Sequence, residues 1–225
     1  MKLKNVNTII NTLGELYGMP QIQPHGDALS ELIMTVLSQN TSDKNSGRAF
    51  IQLLRNFKDW NSMVTAPTKK IEEVIKVGGL AKQKAPRIKT ILEEVHTYTN
   101  GTWDLAELNT KPLEEARNWL LNLPGVGPKT AACVLLFALN RPALPVDTHV
   151  DRVSKRLGLV PEKTKLEKVH ILLENLVPSD LYYQFHMLMI KHGRRICFAQ
   201  KPHCHKCPLQ KKCPKKKEYD AIGSL

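Results

Sequence analysis

Aromatic residues are few, 6% of the 225-residue chain, which argues against an all-β sandwich. No convincing strand alternation and no internal repeat stand out. No window approaches the roughly 18 apolar residues of a membrane span. The opening MKLKNVNTIINTLGELYG carries two lysines but no apolar stretch long enough for a signal peptide. These absences point to a soluble, intracellular protein. With 42% hydrophobic residues the chain can still bury a core, which excludes a wholly disordered polypeptide. Acidic residues are also short: 21 Asp+Glu against 33 Lys+Arg leave a net charge of +12. That excess suits a polyanionic partner, nucleic acid first and an anionic membrane surface second, although basic proteins without such a partner also exist.

Apolar spacing is helical almost throughout, so the expected fold class is all-α, built of many short helices joined by Pro/Gly turns. Leu29, Leu32, Ile33, Val36 and Leu37 lie on one helical face, with Asp27 placed to cap it. A second start at Ser42-Asp43 carries Phe50, Leu53 and Leu54. Ile71, Val74 and Ile75 form a short helix closed by Gly78-Gly79. Pro86 suits the first turn of a helix bearing Ile88, Ile91, Leu92 and Val95. Leu113 to Leu123 gives another, and KTAACVLLFAL (Lys129 to Leu139) is apolar on nearly all sides, as a buried helix would be. Asp147 to Leu157, a stripe at Leu166, Val169, Leu172, Leu173 and Leu176, and Asp180 to His192 complete the set.

Two segments carry the chemistry. In Leu123-Pro-Gly-Val-Gly-Pro-Lys129, glycines flank one small apolar residue between two helices. This makes a tight turn whose backbone at Gly125, Val126 and Gly127 can approach another molecule closely. Pro128 opens the next helix, whose free N–H groups suit phosphate. A plain connector between packed helices is the alternative. Lys129 lies in the first turn of the apolar helix, where the helix N-terminus and desolvation both disfavour the ammonium, and a neutral amine is what a Schiff-base nucleophile must be. On the residues alone, however, a phosphate-contacting or solvated lysine is the favoured reading. The second segment is Lys191 to Lys217, with ten Lys or Arg, no Asp or Glu, and four of the five cysteines. Cys197, Cys204, Cys207 and Cys213 follow C-x6-C-x2-C-x5-C, a metal signature in a reducing compartment. The spacing by itself leaves zinc and iron–sulfur open. Cys133, on the buried helix, reads as a small core residue.

LPGVGPKTAACVL, then PVDTHVDRVSKRLGL, then HGRRIC with its cysteines resembles the endonuclease III family of DNA glycosylases, in the same order and over about Asp27 to Cys213. The resemblance implies two helical lobes with DNA in the cleft between them. A six-helix lobe with the helix-hairpin-helix would cover residues 23–141, and residues 1–22 plus 142–225 would form a cluster lobe. It implies that Lys129 is the nucleophile and that Asp147, also a natural N-cap, is the catalytic carboxylate. His149 and Asp151 are left structural. The four cysteines would hold a [4Fe–4S] cluster that folds a segment too short and charged to bury a core. The stapled loop would then present Lys201, His203 and Lys206 to phosphates, while Lys211, Lys212 and Lys215 to Lys217 read partly as a solvated tail. Ser38-Gln-Asn-Thr-Ser-Asp43 matches the segment that fills the gap left by a flipped base. Family members commonly have Gln where this chain has Asn40, with Gln39 one place earlier, so either amide suits, and a polar cap and turn is the alternative.

The implied activity is base excision: a glycosylase with β-elimination at abasic sites, for oxidised pyrimidines in double-stranded DNA. Alternatives are a mismatch- or alkyl-base glycosylase of the same fold and a non-catalytic DNA-binding module. A monomer without membrane association is expected, cytoplasmic and nucleoid-associated if the source is prokaryotic.

Overall fold

The computed structural model describes residues 5–22 and 26–216. Among them are eleven α-helices and no strands: α1 (Val6–Tyr17), α2 (Ala28–Ser38), α3 (Asp43–Asn56), α4 (Trp60–Thr65), α5 (Thr68–Ile75), α6 (Ala81–Tyr98), α7 (Leu113–Asn122), α8 (Pro128–Cys133), α9 (Thr148–Arg156), α10 (Leu166–Leu176) and α11 (Tyr182–Arg195). Short 3₁₀ turns join several of them, and α8 runs on into a π-helical turn, Val134–Ala138. The all-α expectation holds. No described helix is long and apolar enough to cross a membrane. The chain divides into two compact units, Pro24–Arg141 and Met1–Gln23 with Pro142–Leu225.

The unit Pro24–Arg141 is organised on α2. Asp27 caps it, Oδ1 accepting from the Ser30 N–H at 2.8 Å. Leu29, Leu32, Ile33, Val36 and Leu37 are all fully buried, each stabilising the fold by roughly 1.5–3 kcal/mol. They pack against α3, α8 and the π turn. Seven α-helices lie here instead of the expected six. The extra one, α4, has six residues and buries only Met63, too little for an apolar stripe to register in the sequence. A capping box holds it instead, between Asp59 and Ser62. Pro86 is not in the first turn of its helix. Leu80, at φ +53°, accepts from Gln83 and Lys84 and starts α6 earlier. Pro86 then sits exposed inside α6, where its missing N–H deprives only the carbonyl of the exposed Lys82.

Lys84 is fully buried, only 1% exposed. Its Nζ donates to the Leu37 carbonyl at 2.6 Å and the Gly78 carbonyl at 3.1 Å. Burial lowers its pKa from the ordinary lysine value. The amine thereby closes the C-terminal end of α2 onto the Gly78-Gly79 turn.

In the other unit α11 packs on α9 and α1. Val6, Ile9, Ile10 and Leu13 bury one face of α1. On α10 the buried stripe is Val169, His170 and Leu173, continued by Val177, while Leu166, Leu172 and Leu176 are exposed. Glu174 accounts for the rotated register, because it accepts from the Leu144 N–H at 2.9 Å and turns that side inward. Gly193 lets α11 approach α9 closely: a Cβ there would lie 3.0 Å from the His149 Cβ.

Candidate functional site

The hairpin joins α7 to α8 through Leu123–Gly127. Gly125 takes φ +75°, which favours glycine, and a Cβ on it would meet the Arg87 Cδ at 2.8 Å. Gly127 is different: its backbone is extended and nothing lies within 4 Å of its would-be Cβ. Val126 is part of the scaffold, with a buried side chain and an N–H bonded to the Leu123 carbonyl at 3.1 Å. The turn therefore presents Gly125, Gly127 and the N-terminus of α8, and not the Val126 N–H, to any incoming group. No hydrogen bond within the described residues engages the Gly127 N–H. Lys129 follows, half-buried in the first turn of α8, with the buried Thr130 next to it. Cys133 is buried, as expected of a core residue.

Gln39 and Asn40, adjacent in sequence, have different surroundings. The Gln39 Nε2 donates to the Gly125 carbonyl at 2.9 Å and lies 3.5 Å from the Thr130 Oγ1. Asn40 is exposed in the left-handed region, φ +52°, at the tip of the α2–α3 turn. The first amide is committed to the hairpin and the second projects from it.

Asp147 is the N-cap of α9. A single oxygen, Oδ1, accepts from the N–H groups of both His149 and Val150 at 2.8 Å. Its Oδ2 makes no hydrogen bond within the described residues. His149 is a local bonding residue: its Nδ1 accepts from the Arg152 Nη2 at 3.0 Å. Burial, more than the neighbouring charges, lowers its pKa.

All four predicted cysteine ligands line one cavity, together with Arg156, His192 and Lys215. They surround a space instead of converging on a point. Among the described residues, no three His, Cys, Asp or Glu are placed as ligands of a single metal ion. Arg156 donates through Nη1 to the Cys197 Sγ at 3.3 Å and through Nη2 to the Ala199 carbonyl at 2.9 Å. Arg152, one helical turn earlier, donates to the Cys197 carbonyl at 3.2 Å. On the far side the His192 Nε2 is 3.5 Å from the Cys207 Sγ, and its Nδ1 is 3.1 Å from the Tyr17 hydroxyl. With Cys207 as thiolate, Nε2 must carry the proton and Tyr17 must donate to Nδ1. Burial holds the His192 pKa down at about 4, so the ring is neutral. Burial also pushes the Cys207 thiol up to about 11, with the other three cysteines adding to the rise. The donor set and its N–H···S partners fit a metal centre.

The loop between the first two cysteines leaves Lys201 exposed at φ +47° and His203 exposed, with the His203 ring edge-on to Phe198 at 5.0 Å. Lys215 is not a free tail residue: it pairs with Glu162 at 2.7 Å. Lys217 lies outside the described residues.

Thus Gln39, Gly125, Val126, Gly127 and Lys129 share the unit Pro24–Arg141, while Asp147, Lys201, His203 and the cysteines belong to the other. Sequence reasoning passed over Arg87, Arg152, Arg156, Tyr17 and the roles of His192 and Thr130. The i, i+4 spacing of Arg152 and Arg156 on one helix face was the available signal.

The profile of the HhH-GPD superfamily of base excision DNA repair proteins matches residues 33–179. The chain belongs to that superfamily. Endonuclease III of Thermotoga maritima is 38% identical over 86% of each chain. A protein of Arabidopsis thaliana, provisionally named a DNA glycosylase, is 40% identical over 75% of this chain; the match spans 57% of the plant protein. Among solved structures, a non-covalent endonuclease III–DNA complex aligns with a TM-score of 0.85 at 29% identity, covering 98% of this chain and 100% of that one. A trapped covalent endonuclease III–DNA intermediate aligns at 0.81 and 29%, covering 95% and 98%. Within the superfamily the chain is endonuclease III-like, as its three motifs suggest.

Proposed function

We propose that the chain is a DNA glycosylase with an abasic-site lyase step, acting as a monomer on oxidised pyrimidines in duplex DNA. The observation that carries this reading is Lys129: a half-buried amine one residue into the helix behind an open glycine turn. It stands where endonuclease III-like lyases are expected to carry their nucleophile. The likeness to a trapped covalent complex supports the same step.

The hairpin and the basic surface bind backbone phosphates, and the damaged nucleotide leaves the stack because C1′ is otherwise out of reach. Asn40 enters the gap. The neutral Lys129 amine attacks C1′, the C1′–N bond breaks and the base departs with the bonding pair. The ring opens to a protonated Schiff base, loss of a C2′ proton expels the 3′ phosphate, and water later frees Lys129. Asp147 supplies a carboxylate that can offset positive charge at the sugar. Its Oδ1 is occupied by the helix cap, which leaves Oδ2 for this work. Cys197, Cys204, Cys207 and Cys213 would hold a [4Fe–4S] cluster, which supplies the cross-link that folds the loop carrying Lys201 and His203.

Borohydride trapping on abasic duplex DNA tests the reading. Wild type should give a covalent adduct and Lys129→Ala none, while the variant still binds the DNA. Intact protein that binds but does not cross-link would leave only the non-catalytic module. The protein should be brown, with iron and sulfide in equal amounts; a colourless protein with stoichiometric zinc would overturn the cluster. One observation favours a second reading, a mismatch or alkyl-base glycosylase: Asn40 stands where Gln is common. A panel of duplexes with one modified base each, scored separately for base release and nicking, decides between the two.

A further inference from the structure

We propose that Gln39 is a positioning residue that fixes the gap-filling tip to the hairpin. The inference rests on the function proposed above. The end of α2 is closed from inside: Lys84 holds the Leu37 carbonyl, Ser38 Oγ donates to the Thr35 carbonyl at 2.8 Å, and the Gln39 N–H bonds back to Val36. One residue later the chain reverses at Asn40 in the left-handed region. Between these points a single side chain leaves the helix and reaches 86 residues along the chain to the Gly125 carbonyl. The same amide nitrogen lies 3.5 Å from the Thr130 hydroxyl, on the residue next to Lys129. Gly125 itself cannot shift freely, because Arg87 packs on its Cα face. The Gln39 amide therefore bonds, in one step, the segment that fills the gap to the turn that holds the phosphate and to the neighbour of the nucleophile. All of these groups lie in the unit Pro24–Arg141. Without the amide, the Asn40 tip and the hairpin would still form, but each would fluctuate by itself. The loss should fall where both must engage at once: a duplex, with an orphaned base opposite the site. A single strand has no orphaned base and needs only the hairpin and Lys129.

The test measures single-turnover nicking of one abasic site in a duplex and in the same strand alone, for wild type, Gln39→Ala and the isosteric Gln39→Glu, with thermal melts of each. The duplex-to-single-strand rate ratio should fall about fivefold in Gln39→Ala, the factor expected for one hydrogen bond. In Gln39→Glu, whose carboxylate would face the Gly125 carbonyl, it should fall at least as far. Melting points should stay near wild type. If Gln39→Ala fails to fold, the same-sized Glu variant carries the test. Equal losses on both substrates, or no loss, would overturn the positioning role while wild-type nicking leaves the proposed function standing. A wild type that nicks neither substrate defeats the function itself.

Discussion

Replacing Lys84 by Met should destabilise the protein by about 2–3 kcal/mol, although it removes a buried charge. Three terms set the value. The methionine keeps most of the apolar stem, so little cavity opens. Two buried carbonyls, Leu37 and Gly78, lose the donor they have at 2.6 and 3.1 Å, at roughly 1–3 kcal/mol each. Against this, the cost of desolvating the ammonium is relieved; that cost is real, since burial lowers the Lys84 pKa. The carbonyls should win, because among the described residues no other hydrogen bond reaches either of them. At roughly 2–4 °C per kcal/mol for a chain of this size, the melting point should drop by about 4–12 °C. Lys84→Ala should cost more, since it also empties the space of the stem. The pH dependence gives a second check. A lysine whose folded pKa lies below 10.5 binds fewer protons folded than unfolded across that interval. Wild-type stability should therefore rise as pH climbs through the folded pKa toward 10.5, and the Met variant should lose this rise. Calorimetry at neutral and alkaline pH makes both measurements. A Met variant as stable as wild type would show that the two carbonyl bonds do not exceed the burial penalty.

Asp147→Asn should melt within about 1 kcal/mol of wild type, because Asn caps a helix nearly as well as Asp, yet should lose borohydride trapping; retained trapping would reduce Asp147 to a cap. Lys201→Ala should weaken DNA binding at every sequence alike and lower the slope of log affinity against log salt by about 0.9, the signature of one lost phosphate contact; an unchanged slope would leave the exposed Lys201 a solvated loop residue. His149→Gln should flatten the acid side of the stability profile. Burial lowers the folded pKa of His149, so the unfolded chain takes up its proton first and stability falls as pH drops below about 6.5; urea melts at pH 7 and pH 5.5 should differ less in the variant.

The helices and the hairpin were legible because their signals are local. Asp27, Ser42 and Asp147 all cap the helices that their positions suggest. The stripe of α2 is buried to the last residue. The stripe of α10 was misread, since the contact that sets its register, Glu174 with the Leu144 N–H, spans 30 residues. Long-range bonds hid the rest of the site. Nothing in the sequence separates Gln39, bonded to Gly125 86 residues away, from Asn40, which is bonded to nothing there. The cysteine spacing suggests a metal, but the groups that aim at the sulfurs, Arg156 and His192, lie 41 and 15 residues from their partners. A pattern of apolar residues cannot show which polar groups will meet.

The two glycines of the hairpin stand under different demands. An alanine at Gly125 would disturb the free protein at once, through its φ and through Arg87. An alanine at Gly127 would meet open space and an ordinary extended backbone, so melting and expression would barely register it. Only something pressed against that face would. A library sorted for stability would let Gly127 drift while holding Gly125 fixed; one sorted for repair would hold both. The difference between the two libraries at this one position would trace the footprint of the partner on the hairpin without any structure of the complex.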